Sequence, residues 1–239
     1  MKKKILIFIP VLNEEKNVLI IVKNIFKKYK KNIDILFIDD NSMDDTQKNI
    51  LILKKKFKNI FLIKRKKKLG IGSAHKDGIK WAIKKKYTLL VTMDCDGTHD
   101  PYYIKKIIFN LEKNKSHVSI TNRFLNENSL KDWNKWRVFL TRIRHLLIKI
   151  FLNINYDSSG AFRCYDLEKV KLKEILLAKD NGYSFFWESI YQLNRLNYKI
   201  TEIPIKLPGR LNGNSKMRIN DIIQAFFYLI KFSIENIKH

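Results

Sequence analysis

Acidic residues are scarce in this chain of 239 residues: 23 Asp and Glu stand against 48 Lys and Arg, a formal net charge of +25. A field of that sign favours anionic partners, whether nucleic acid, lipid headgroups or phosphorylated substrates. The lysines fall in short runs (Lys2 to Lys4, Lys54 to Lys56, Lys84 to Lys86) at helix ends and loops, so most of the charge reads as solvated surface. Cysteine is nearly missing. Cys95 and Cys164 lie far apart with no CxxC pair, which excludes a disulfide framework or zinc site and fits a reducing compartment. Four prolines and eight glycines leave no low-complexity linker. Long apolar runs are also missing. No stretch approaches the roughly 18 apolar residues that span a bilayer, and the candidates near 138–152 and 219–237 are broken by Arg142, Arg144, Lys149 and Lys231. The N-terminal MKKKILIFIPVLNEE has a basic start and an apolar run but no small-residue cleavage site, so it reads as a first strand and not as a signal peptide.

What is present suffices for a core, with 45% hydrophobic and 12% aromatic residues in one large domain or one domain with an appendage. Ile5 to Ile9, Ile33 to Ile38, Ile60 to Ile63, Thr88 to Met93 and His117 to Thr121 are short apolar runs, the pattern of strands buried on both faces. Between them, Asn17 to Phe26, Thr46 to Phe57, Gly70 to Lys85 and Pro101 to Leu111 carry helical spacing. Such alternation predicts an α/β fold with a mostly parallel central sheet flanked by helices. Later, 133–152 predicts an amphipathic helix, 156–166 a loop entering a strand, and 182–196 a helix. Tyr198 to Ile205 reads as an edge strand, 206–218 as a basic loop and 219–237 as a second amphipathic helix.

Polar residues cluster just past three strand ends: Asn13 and Glu14, Asp39 and Asp40, Asp94 and Asp96. In open α/β sheets the ligand crevice lies outside those ends. A helix cap explains any one acidic cluster; it explains all three together poorly. Asp94-Cys95-Asp96 directly after a buried strand holds two carboxylates near one point. Mg²⁺ or Mn²⁺ suits such a pair and bridges to a diphosphate, where it acts as a Lewis acid on a departing nucleotide diphosphate. LGIGSAHKDG lacks both the Walker lysine pattern and the dinucleotide spacing, so Gly70 and Gly72 read as the turn before a helix and His75 as a polar loop histidine.

IFIPVLNEEKNV, FIDDNSMDDT, LGIGSAHKDGIKWA, MDCDGTHDP, TNRF, SGAFRCYD, GYSFFWE and EIPIKLPGRLNGNSK follow one another across nearly the whole chain. Together they resemble the family-2 glycosyltransferases of GT-A fold, most closely the dolichol- or polyprenyl-phosphate mannose synthases. The resemblance implies inverting, metal-dependent transfer of mannose from GDP-mannose to a polyprenyl phosphate at a membrane surface. It places Pro10, Leu12 and Glu14 at the nucleoside, with Ile38 and Asp40 beside the base. Asp94, Cys95 and Asp96 match the metal and diphosphate motif, and Thr98 stands where some relatives have a metal-contacting Gln. Arg123, Arg210 and Lys216 match basic residues that contact donor or acceptor phosphates; Asp94, Asp96 and Arg123 are the catalytic candidates. TNRF departs from the usual Gly-x-Arg, and LNGNSK from Gly-Glu-Ser-Lys. His99 is what mannose synthases tend to carry after the acidic motif, and Asp157 is a candidate to orient the acceptor or a metal-bound group.

The expected organisation is a catalytic GT-A domain over 1–218, including the helix at 133–152, and a C-terminal amphipathic helix over 219–239 without a transmembrane domain. Arg137, Arg142, Arg144 and Lys149 beside Phe139, Leu147 and Phe151 suit a helix lying in a membrane interface. That implies peripheral attachment at a cytoplasmic membrane face, or a protein partner that supplies the membrane domain. Two other readings stay open: a UDP-sugar transferase acting on lipid phosphate or a surface glycan, and a basic nucleic-acid-binding protein, which leaves the acidic strand ends unexplained.

Overall fold

The computed structural model describes residues 3–29, 33–213, 216 and 219–237. Parts of the expected 206–218 loop (214–215 and 217–218) and of the C-terminal helix (238–239) lie outside the described residues. Five strands and four helices alternate first: β1 (Ile5–Val11), α1 (Val18–Tyr29), β2 (Asp34–Asp39), α2 (Thr46–Lys56), β3 (Ile60–Lys64), α3 (Ile71–Lys84), β4 (Leu89–Thr92), α4 (Tyr102–Lys113) and β5 (Val118–Asn122). There follow α5 (Lys135–Leu152), β6 (Arg163–Asp166), a short α6 (Leu172–Ile175), α7 (Phe185–Arg195), β7 (Ile200–Pro204) and α8 (Ile219–Ile237). The strands form one seven-stranded sheet in the order β3-β2-β1-β4-β6-β5-β7. Its β1–β2, β1–β4, β2–β3 and β5–β7 pairs are parallel, while β6 runs antiparallel to both β4 and β5.

The period-2 alternation of the strands divides the core in two. Leu6, Phe8, Leu36, Ile38 and Leu90 point to the layer holding α3, α7 and the buried residues of α5 and α8. Ile7, Ile9, Ile35, Phe37 and Val91 point to the layer of α1, α2 and α4. Both faces being covered is why these strands read as continuous apolar runs. β1 runs two residues past the expected Ile9, because Pro10 and Val11 still pair in register with Ile38 and Asp39. Pro204 closes β7 at the sheet edge, where its missing N–H costs no ladder bond.

His75 corrects the expectation of a loop histidine. It lies within α3, 1% exposed, with its ring 5.1 Å from Phe8, 5.8 Å from Phe185 and 4.9 Å from Phe186. Burial first, then the positive charge of Arg163 and His99, pushes its pKa from 6.5 down to about 3. The neutral ring therefore belongs to the fold, whereas the unfolded chain takes up a proton as the pH falls through 6.5. Between there and about 3 each pH unit should remove about 1.4 kcal/mol of stability. Thermal melts of wild type and His75→Phe from pH 7 to pH 5 check this: the variant should lose less stability on acidification, and identical slopes contradict it.

Candidate active site

Two asparagines in the left-handed region, Asn13 (φ 52) and Asn41 (φ 69), turn the chain at the ends of β1 and β2, a conformation asparagine tolerates better than most residues. The first turn delivers Glu14, whose backbone N–H donates to the Thr46 hydroxyl at 2.7 Å. Its carboxylate accepts from Asn17 Nδ2 at 2.6 Å and lies 4.0 Å from Lys216 Nζ. Burial raises the Glu14 pKa against the lowering effect of the Asn17 hydrogen bond and Lys216.

β4 delivers the acidic pair. Asp96 is 3% exposed; its Oδ1 accepts from the Thr98 N–H at 3.0 Å and the Thr98 hydroxyl at 2.6 Å, and its Oδ2 lies 2.8 Å from Arg210 Nη1. Burial alone would raise its pKa, but Arg210 and the Thr98 hydrogen bonds outweigh it and hold the carboxyl below the usual range. Asp94 is different. It is half-buried, its contact with His99 Nδ1 is long at 3.7 Å, and burial followed by the charge of Asp96 pushes its pKa up against the pull of His99. His99 Nδ1 accepts the Asp94 backbone N–H at 2.8 Å, so His99 fixes the turn. Among the described residues no group of three or more His, Cys, Asp or Glu side chains is placed to hold a metal. The chain thus offers two hard oxygen donors. That fits Mg²⁺ or Mn²⁺, which retain waters and substrate phosphates in their coordination sphere.

The basic loop after β7 crosses the mouth of this cleft. The Leu211 N–H donates to the Asp96 carbonyl at 2.9 Å, and Lys216 Nζ donates to the Asn13 carbonyl at 2.9 Å. Gly97 makes the crossing possible: at φ +84 its missing Cβ would sit 2.4 Å from Leu211 Cγ.

Pro10, Leu12, Glu14, Asp40, Asp94, Cys95, Asp96, Arg210 and Lys216 line one cleft of ≈ 930 Å³. Of the residues expected at the nucleoside, Ile38 is the exception. Its side chain is 0% exposed in the core with Leu6 and Phe8, because residues 36 and 38 share the face turned toward α3. Asp40 reaches the cleft wall with its carboxylate already engaged by Arg65 Nη1 (3.0 Å) and the N–H groups of Leu69 and Gly70 (both 2.9 Å). The cleft also takes in Lys68, Gly182 and Tyr183, which sequence reasoning did not single out. Gly70 and Gly72 permit this wall, since a Cβ at either would come within 2.6 Å of the backbone of Asn181 or Gly182.

Thr98 and Arg123 open onto a second space. A groove of ≈ 2240 Å³ runs between α5 and α8 and meets the cleft at Asp94, Asp96 and Arg210. The Thr98 hydroxyl donates to Asp96 Oδ1 and so orients that carboxylate. Arg123 is held by Asp157: its Nε donates to Oδ2 at 2.6 Å and its backbone N–H at 3.1 Å. Arg137 lies with its guanidinium carbon 3.5 Å from the centre of the Trp133 ring. Arg137 and Arg144 both line the groove, Arg144 half-buried and Arg137 exposed at its rim, while Arg142 and Lys149 are exposed outside its lining. The groove is otherwise apolar, with Trp136, Leu140, Phe186, Ile223 and Phe227 in its walls.

A buried α/β sheet whose strand ends present paired carboxylates to a cation-rimmed cleft is suited to an anionic ligand such as a nucleotide diphosphate. The chain belongs to glycosyl transferase family 2, whose model matches residues 6–171. It is 25% identical over 235 residues to a polyprenol monophosphomannose synthase of Mycolicibacterium smegmatis, covering 97% of this chain and 88% of that protein. It is 26% identical over 185 residues to an undecaprenyl-phosphate mannosyltransferase of Micrococcus luteus, covering 77% of this chain and 75% of the relative. The fold is shared with glucosyl-3-phosphoglycerate synthase of Mycobacterium tuberculosis, solved with Mn²⁺, UDP and phosphoglyceric acid: TM-score 0.71, 15% identity, 97% of this chain and 78% of that chain.

Proposed function

We propose that the protein transfers mannose from GDP-mannose to a polyprenyl phosphate, with inversion at the anomeric carbon, at the cytoplasmic face of a membrane. The observation that carries this reading is the meeting of two unlike chambers at Asp94 and Asp96. A cleft whose walls carry Glu14, Asp94, Asp96, Arg210 and Lys216 suits a metal-bound nucleoside diphosphate; a largely apolar groove lined also by Arg123 and Arg144 suits a lipid that bears a phosphate. The names of two relatives support mannose and a polyprenyl acceptor, and the motif resemblance supports GDP.

In this reading Pro10, Leu12, Glu14 and Asp40 wall the nucleoside. Asp94 and Asp96 would hold Mg²⁺ or Mn²⁺, which supplies charge neutralisation of the departing diphosphate. Arg210 and Lys216 close over the donor phosphates from the basic loop, and Arg123 with Arg137 receives the acceptor phosphate. That phosphate is already anionic, so its oxygen attacks the anomeric carbon without a protein base, and the bond to the nucleoside diphosphate breaks. Among the described residues no helix is long and apolar enough to cross a membrane. Exposed Phe139, Leu146 and Ile150 on α5 and Phe227 and Ile234 on α8, beside Lys149 and Lys231, suit peripheral attachment to anionic lipid. The helix α8 (Ile219–Ile237) then serves both as a wall of the acceptor groove and as a membrane-facing element of the catalytic unit, and a membrane-protein partner is compatible with that surface.

Purified protein with GDP-mannose, Mn²⁺ and polyprenyl phosphate in mixed micelles should form lipid-linked mannose, and chelation should stop it. Product from UDP-glucose but not GDP-mannose moves the assignment to a UDP-sugar enzyme; no product from any nucleotide sugar, with the protein folded, contradicts it.

A further inference from the structure

Around Asp157, away from Asp94 and Asp96, the groove gathers more positive charge than that one carboxylate neutralises. Arg123, Arg137 and Arg144 all line it, and the carboxylate bonded into this cluster is Asp157, 1% exposed. Asp157 uses its two oxygens separately. Oδ2 accepts from Arg123 Nε at 2.6 Å, and Oδ1 accepts from the Ser159 hydroxyl at 3.2 Å. The same Ser159 oxygen accepts from Arg144 Nη2 at 3.1 Å. Arg144 Nε is buried without a hydrogen-bond partner among the described residues. Burial, then the nearby charge of Arg123, pushes the Arg144 pKa down to about 10, with Asp157 pulling the other way. A guanidinium in this position is under-compensated, a condition an incoming anion relieves.

Asp157 is itself anchored. Its backbone N–H donates to Glu202 Oε1 at 2.8 Å, and that oxygen also accepts from Asn122 Nδ2 at 3.0 Å. One carboxylate fixed to β7 therefore sets the positions of two guanidinium groups on different elements, Arg123 after β5 and Arg144 on α5. Because Arg123 is gripped through Nε, its two terminal nitrogens remain for a ligand. Gly160 leaves room for them, since a Cβ there would lie 3.1 Å from Arg123 Nη2.

We propose that Arg144 binds the phosphate of the acceptor together with Arg123, and that Ser159, oriented by Asp157, is the positioning residue that holds Arg144 for that task. This rests on the polyprenyl-phosphate reading. A phosphate monoester presents more acceptor oxygens than one guanidinium fork meets, and Arg144, fixed relative to Arg123 through Asp157 and unlike the exposed Arg137, sets which oxygen points at the cleft. Arg144 thus belongs to the chemistry and not to the membrane surface.

The test uses the full chain with Mn²⁺, its nucleotide-sugar donor and farnesyl phosphate as acceptor. Arg144→Gln should raise KM for farnesyl phosphate about tenfold or more, and Ser159→Ala severalfold, with GDP affinity unchanged in both; Arg144→Lys should recover part of the loss. A wild-type KM in Arg144→Gln overturns the proposal, as does an equal loss of GDP affinity, which marks a general disturbance of the fold. A wild-type enzyme that neither binds nor glycosylates farnesyl phosphate contradicts the polyprenyl-phosphate reading, and this inference falls with it.

Discussion

Asp96→Ala should reduce transfer by about 10³-fold or more while the protein still folds and melts cooperatively. Asp96 stands where cleft and groove meet, and its carboxylate is built to stay ionised. Arg210 at 2.8 Å and two Thr98 hydrogen bonds hold it charged despite burial. Removing it takes away the fixed negative charge that a divalent cation needs and leaves Asp94 alone. It also frees Arg210 from its ion pair. The fold should survive because the loop's other anchor at this point is a backbone bond, Leu211 N–H to the Asp96 carbonyl, which alanine keeps. Arg210 remains 23% exposed, so its charge can turn to water at a cost of about 1–2 kcal/mol. Circular dichroism and a thermal melt beside the transfer assay check both halves. Full activity in the variant would reduce Asp96 to the cap of a turn.

Arg163→Met should have the largest effect on stability, about 3–5 kcal/mol, with a fall in melting temperature of roughly 10 °C or more. Arg163 is 1% exposed, on the antiparallel strand β6. Its guanidinium donates to the carbonyls of Gly160 (2.8 Å), Ser158 (2.6 Å) and Phe186 (2.7 Å), and to the hydroxyls of Ser189 (2.9 Å) and Tyr165 (3.2 Å). Methionine fills similar space but leaves three buried carbonyls without those donors. Lysine should also fail, since a single ammonium lacks the planar fork that reaches several acceptors at once. Ser158 and Gly160 flank Ser159, so the damage should spread to the acceptor arginines and raise acceptor KM in whatever folded protein remains. Urea unfolding measures the stability loss. A change below about 1 kcal/mol would mean that water replaces the lost donors.

Much of this was legible in the order of residues. Apolar runs buried on both faces set the strands, and each of the first acidic clusters had to fall at the same sheet edge once the strands were parallel. Glu14, Asp94 and Asp96 are visible for that reason. Residues whose role depends on distant partners were not. Asp40 is engaged by Arg65 from 25 positions away, a pairing no local pattern predicts. His75 sits at helical spacing in a polar stretch, and only the packing of Phe8, Phe185 and Phe186 shows that it is buried. Ile38 could have been placed correctly by alternation, because it shares the face of Leu36. On α5 the basic residues mark an amphipathic helix, but periodicity cannot say that α8 supplies the other wall of a groove lined by Arg137 and the half-buried Arg144 but not by Arg142 and Lys149. Arg163 lay within SGAFRCYD without a role, since its acceptors come from the preceding loop and from α7.

In the proposed reading Asp94 and Asp96 form a divalent-metal site for a nucleotide diphosphate. Calorimetric titration of GDP into the protein, with Mn²⁺ and after chelation, tests it most directly. Mn²⁺ should tighten GDP binding by about tenfold or more, and Asp96→Ala should remove the difference. Equal affinity with and without the metal, or an undiminished metal effect in the variant, would contradict it.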